Sequence, residues 1–206
     1  MKKTFLLSCL MLAAMPVMAA YTGHVYVDKN KNGVFDQSEK PLAGIKVSDG
    51  LNVVETAADG SFTLPGHERE RFIFITTPSG YKTFNRHYHK IEKKQSGYDF
   101  GLIPYSGRIR KDGSHRYIHI TDTEIFNTEN HADWVNNVHD YARNEQAAFI
   151  IHTGDICYEK GLKAHIKLMN TENMDCPVFY CIGNHDLVKG KYGEELFESI
   201  YGPVYY

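Results

Sequence analysis

The chain has 206 residues, room for one large or two small domains. Its 42% hydrophobic and 23% charged residues are ordinary globular proportions, enough for a sizeable core. A formal net charge of −2 argues against a nucleic-acid surface built on bulk positive charge.

Met1-Lys2-Lys3 opens a short apolar run from Thr4 to Met15, and Pro16-Val17-Met18-Ala19-Ala20 supplies small residues for cleavage. The expectation is a secretory signal peptide over 1–20, cut after Ala19 or Ala20. The run is too short to span a bilayer. The mature protein is therefore expected to be exported, periplasmic or secreted, with no transmembrane segment after processing. Three cysteines would remain, Cys157, Cys176 and Cys181, each expected to be a small buried residue.

From Tyr21 to about residue 104 the pattern is all-β. Alternating runs at His24–Val27, Ile45–Val47, Val53–Thr56, Ser61–Leu64, Phe72–Ile75 and Tyr98–Leu102 are divided by turn signals such as Asp49-Gly50, Asp59-Gly60 and Pro78-Ser79-Gly80. Short strands at this spacing predict a small β-sandwich. Between the first two runs, Asp28 to Glu39 fits the calcium-loop pattern Asp-x-[Asp/Asn]-x-[Asp/Asn]-Gly-x5-Glu without a mismatch. Asp28, Asn30, Asn32 and Asp36 would offer side-chain oxygens, Val34 its carbonyl and Glu39 a bidentate carboxylate, with Gly33 at the sharp turn. No flanking helix is expected, so this would be a calcium loop on a β-module. Lys82 to Gly97 reads as a polar surface loop, and 105–115 as a linker.

From 116 to 206 the periodicity changes. Three apolar strands are expected, Tyr117–Thr121, Phe149–Thr153 and Pro177–Ile182. A helix at His131–Arg143, with Trp134, Val135, Val138, Tyr141 and Ala142 on one face, bridges the first two. A second helix is expected over Gly161–Asn170. His131 and His139 are expected on the surface, and His119 and His152 in the core or behind the site. Each strand ends in polar groups: Asp122-Thr123-Glu124, then Gly154-Asp155 with Tyr158, then Gly183-Asn184-His185-Asp186. Ligands bind beyond the carboxyl ends of strands in open α/β sheets. The pooled donors are mostly hard oxygens and suit one or two divalent ions.

The order of these three clusters resembles the first three motifs of the calcineurin-like metallophosphoesterases. Gly154-Asp155 and Gly183-Asn184-His185-Asp186 match fully. Glu124 stands where the family usually has a histidine, and Tyr158 where a last aspartate is common. Gly-Asp-x-x-Tyr is similar to the purple acid phosphatase branch. Leu42–Val47 and Thr56–Leu64 resemble Cna-B, transthyretin-like modules.

The resemblance implies an α+β multidomain chain, a β-sandwich followed by a partial α/β metallophosphoesterase (βαβ) domain. It implies a phosphatase or phosphodiesterase with a phosphoester substrate and two divalent or transition ions, Mn, Fe or Zn, with calcium in the first module. Asp122, Asp155 and Asn184 would bind metal, with Glu124 and Tyr158 both candidates for the first-metal sphere. His185 would protonate the leaving oxygen, and Asp186 would orient its imidazole. The family's later histidine motifs do not occur before Tyr206. That predicts a fragment or a natural truncation, weakly active or inactive by itself. The rival expectation is a calcium-stabilised exported binding or surface module with a vestigial phosphoesterase half.

Overall fold

The computed structural model describes residues 20–84 and 86–206. Apart from Ala20, the segment expected to be a signal peptide lies outside them. The first module is built from nine strands: β1 (Ala20–Val27), β2 (Lys40–Pro41), β3 (Lys46–Ser48), β4 (Val53–Glu55), β5 (Ser61–Pro65), β6 (Phe72–Ile75), β7 (Tyr81–Thr83), β8 (Tyr88–Lys90) and β9 (Phe100–Pro104). They form a five-stranded sheet, ordered β2-β1-β9-β7 with β5 also on β1, and a four-stranded sheet, ordered β4-β3-β6-β8. Strand β1 alternates outward and inward over most of its length, as one-sided burial requires. Val25, Leu64, Phe100 and Leu102 from the first sheet and Val47, Ile73 and Ile75 from the second enter one buried cluster.

Two strands lie where a polar loop was expected, β7 and β8 within 82–97. Each has only three residues and supplies a sheet edge, so neither carries an alternating apolar signal. His89 Nε2 meets the Asp99 carbonyl at 2.7 Å, and the His87 ring packs 4.4 Å from that of Tyr206. These two histidines therefore serve packing contacts on different neighbours.

The second part follows a βαβαβ order: β10 (Arg116–Ile120), α1 (His131–Asn144), β11 (Ala147–His152), α2 (Tyr158–Leu168) and β12 (Val178–Tyr180), then α3 (Glu195–Tyr201). The three strands are parallel, with β11 in the middle. Together, mixed and parallel sheets with three helices make an α+β protein. Helix α1 buries Val135 and Ala142, but Tyr141 is 60% exposed and leaves the expected apolar face. Helix α2 begins earlier than its apolar pattern suggests, because Tyr158–Lys160 add a polar first turn.

Three other expectations change. His131 is buried, stacked on Trp134 at 5.6 Å and 5.4 Å from the His165 ring, because the first turn of α1 faces α2. His139 is half-buried and bonds Asp175 at 3.0 Å. Cys181 is exposed, whereas Cys157 and Cys176 are buried.

The expected linker is pinned to the second part: Tyr105 Oη donates to the Ala148 carbonyl at 3.0 Å, and Arg108 to those of Ala142 and Ala147. Arg71 of the first part reaches Glu194 and Glu198 of α3 at 3.2 and 3.0 Å. Among the described residues no helix is long and apolar enough to cross a membrane.

Candidate metal centre at the strand ends

The loops leaving β10 and β11 run side by side as an extension of the parallel ladder. Asp122 N donates to Gly154 O at 3.1 Å, Glu124 N to Asp155 O at 3.0 Å, and Ile125 N to Ile156 O at 2.8 Å. Holding the loops in this register puts five non-glycine residues at positive φ: Asp122, Glu124, Asp155, Cys157 and Tyr158. Such conformations cost about 1–3 kcal/mol each and gather at functional sites. Gly154 has φ +100°, which favours glycine for backbone reasons.

The third loop joins through β12. Gly183 has ordinary backbone angles, and glycine is needed there for space: a Cβ would fall on the amide and carboxylate of Asp155. Asn184–Asp186 form one 3₁₀ turn. His185 N donates to Asp155 Oδ1 at 2.9 Å, so the middle strand's carboxylate receives the third loop directly.

Asp122 and Asn184 are exposed, Asp155 and His185 half-buried. The Tyr158 ring lies parallel to the His185 imidazole, 6.1 Å between centroids and 7° between planes. Glu124 Oε1 stands 3.2 Å from His185 Nδ1. That nitrogen is buried and has no aligned hydrogen-bond partner. The contact is close, then, but out of line with the ring's N–H direction.

Asp186 is fully buried. Oδ1 accepts the Cys157 N–H at 2.8 Å and Oδ2 the Gly183 N–H at 2.9 Å. Burial raises its carboxyl above the usual carboxylate range, against the pull of those amides. Through these bonds Asp186 ties the second and third loops together. His152 sits beneath, fully buried and pushed down to about 4 by desolvation. Its Nδ1 accepts the Gly154 N–H at 3.2 Å, which leaves Nε2 as donor to Thr123 Oγ1 at 3.1 Å. His119 is exposed and meets Thr153 Oγ1 at 2.8 Å, so of the two only His152 is a core residue.

Asp122 and Glu124 line an open cavity of about 470 Å³ with Phe126, His131 and Trp134. Oxygen donors on three interlocked loops, built over a cradle that any Cβ at Gly183 would fill, fit a hard or borderline cation. Asp122, Glu124, Asp155 and His185 do not converge as tightly as a second group that sequence reading missed. Asp49, His67 and Glu70 of the first part place one ligand atom each within 4.8 Å of one another, a possible metal-binding triad. All three are also bonded internally. Asp49 Oδ1 accepts the amides of Leu51 and Asn52, Glu70 accepts the Tyr21 hydroxyl, and His67 Nδ1 accepts the Arg69 amide at 3.2 Å. No local signal marks this group, because Asp49 and His67 lie eighteen residues apart and meet only through folding.

A parallel sheet with carboxylate, amide and imidazole side chains at successive strand ends defines a class, the open α/β domains with a strand-end ligand site. Family models name the particular member. Residues 115–205 match the calcineurin-like phosphoesterase domain, and residues 29–104 match the N-terminal region of calcineurin-like phosphoesterases. Together the two matches span most of the chain, and the second marks a calcineurin-like phosphoesterase domain. Divalent-metal-dependent hydrolysis of phosphoesters is what such a domain suggests. No curated protein matches the chain.

Proposed function

We propose that this protein hydrolyses phosphoesters at the strand ends of β10, β11 and β12. The observation that carries the reading is the placement of Asp155: its main-chain carbonyl receives Glu124, and its carboxylate receives the amide of His185. One residue thereby fixes all three loops, as a bridging ligand must be fixed. Asp122, Asp155 and Asn184 would hold two ions, with Tyr158 beside the first. The ions would neutralise phosphoryl charge and lower the pKa of the attacking water.

The chain's own residues do the rest. Asp155 and Asn184 orient the phosphoryl group by fixing what it binds. As the new P–O bond forms, the leaving oxygen departs with its electron pair and takes a proton from His185. Nδ1 faces Glu124, which leaves Nε2 for that transfer. The test is turnover of an aryl phosphoester by the protein at its natural full length beside Asp155→Ala. Loss of about a hundredfold or more in the variant supports the reading. Equal turnover ends it.

A second, separate proposal concerns the first module, which we read as an exported β-sandwich carrying a calcium loop over 28–39. The supporting observation is the loop's closure around Asp28, which is 1% exposed. Its two oxygens accept the amides of Asn32 and Gly33 at 3.1 and 2.9 Å. Glu39 accepts the amides of Lys29 and Asp36 at 2.9 and 3.2 Å. First and twelfth residues thus both cap amides of the loop, and the side-chain amides of Asn30 and Asn32 donate to Asp36 Oδ2.

A further inference from the structure

The reading above leaves Glu124 without a task. We propose that Glu124 is the positioning residue of His185: its carboxylate holds the imidazole through Nδ1 so that Nε2 faces the leaving oxygen. This rests on the phosphoester reading of the same site.

Three observations carry it. The first is a closed circuit of three residues. Glu124 N donates to Asp155 O at 3.0 Å, His185 N donates to Asp155 Oδ1 at 2.9 Å, and Glu124 Oε1 faces His185 Nδ1 at 3.2 Å. Both residues of the pair are thus hung from Asp155, one from its main-chain carbonyl and one from its carboxylate. The left-handed conformation of Glu124, φ 43°, turns its side chain toward the third loop. The second observation is the state of Nδ1, buried with no aligned partner. A buried donor needs an acceptor, and Glu124 supplies the one carboxylate that faces it. Catalytic hydrogen bonds commonly tighten only with substrate present. The third is the exclusion of the rival. Asp186 accepts the amides of Cys157 and Gly183, is walled off from solvent, and among the described residues makes no hydrogen bond to the His185 ring.

A metal-ligand role for Glu124 would call for a carboxylate aimed away from the imidazole, and the Glu124 oxygen is turned to the ring. A positioned acid matters in proportion to how badly the leaving oxygen needs its proton. Removing Glu124 should therefore slow poor leaving groups and spare good ones.

The experiment uses the full-length protein, with Glu124→Gln, Glu124→Ala, His185→Ala and the Glu124→Ala/His185→Ala pair. Substrates are phenyl and 4-nitrophenyl phosphate and their methyl diesters, and metal content is read by elemental analysis. For Glu124→Ala the expected result is a kcat lower by about tenfold to a hundredfold on phenyl esters. The loss on nitrophenyl esters should be several-fold smaller, with metal content unchanged. Glu124→Gln should recover part of the loss, and Glu124→Ala should add nothing in the His185→Ala background. Loss of one ion per chain, equal slowing of both leaving groups, or additivity with His185→Ala would overturn the proposal. Asp155→Ala in the same assay separates the two ideas: if it keeps full turnover, the phosphoester reading itself fails.

Discussion

Gly154 and Gly183 meet back to back at the ends of β11 and β12: a Cβ on Gly154 would overlap the amide nitrogen of Gly183. A Cβ on Gly183 would in turn fall on Asp155. Two glycines thus let two strand ends approach as closely as backbone permits, and the gap they leave is filled by the central carboxylate. Gly183 has φ −104°, so its own dihedral angles allow alanine, and what excludes a Cβ is Asp155, whose main-chain nitrogen and carboxylate oxygen it would overlap. Gly183→Ala is expected to keep the fold, move Asp155 and lower turnover by about a hundredfold. Circular dichroism beside steady-state kinetics checks it; a folded variant of unchanged activity contradicts it.

His165 is fully buried on α2, and neither ring nitrogen has a partner. Its ring lies 5.4 Å from that of His131 and 5.2 Å from that of His152. Burial pushes it down to about 2, and the other two histidines add to the effect. The unfolded chain takes up a proton near pH 6.5 that the folded chain refuses. Stability is therefore full above pH 6.5 and falls as the pH drops below it, by about 1.4 kcal/mol per pH unit for each such histidine. His165→Leu should flatten that fall and leave stability at pH 7 unchanged or higher, because no hydrogen bond is lost. Urea unfolding at pH 7 and pH 5 measures both.

Arg71 joins the first part to α3. Glu198 is 6% exposed, and burial raises its carboxyl while Arg71 opposes the rise. The 3.0 Å contact is not an aligned hydrogen bond, so the attraction is chiefly ionic. Arg71→Met leaves a buried carboxylate uncompensated. Arg71 is itself 39% exposed, so the expected cost is discounted to about 1–3 kcal/mol. Glu198→Gln in that background should restore most of it. Thermal unfolding of the four proteins gives the coupling, and simple additivity would mean that the two residues are independent.

The calcium loop makes a prediction that activity does not touch. Asp28 packs against β9, where a Cβ on Gly101 would come within 2.8 Å of its own Cβ. Calcium should raise the melting temperature by about 3–8 °C at millimolar concentration, in line with the affinities of extracellular sites. Asp28→Ala should abolish the rise. An unchanged melting point in the native chain would mean that the loop closes on its own amides alone.

Much of this architecture is legible in the residues. Phe72–Ile75 is a run of four apolar β-formers and forms β6 over the same span. The apolar period from Trp134 to Ala142 marks α1, although Tyr141 turns outward because the stripe facing β11 is narrower than the pattern. The three strand-end motifs are visible because each is short and local. What was not legible depends on contacts across the chain. β7 and β8 are strands by virtue of their partners. Asp49 meets His67 and Glu70 only through folding, with β4 and β5 between them in the chain. The contacts of Asp186 with Cys157 and Gly183, and of Glu124 with His185, follow from loop register, and no spacing in the sequence encodes them.

The central claim is that Asp155 joins the three loops around bound metal. It is tested most directly by elemental analysis of the full-length protein beside Asp155→Ala, both purified identically. The account predicts about two transition-metal ions per chain in the native protein and their loss in the variant. Equal metal content in the two proteins, or none in the native one, would contradict it.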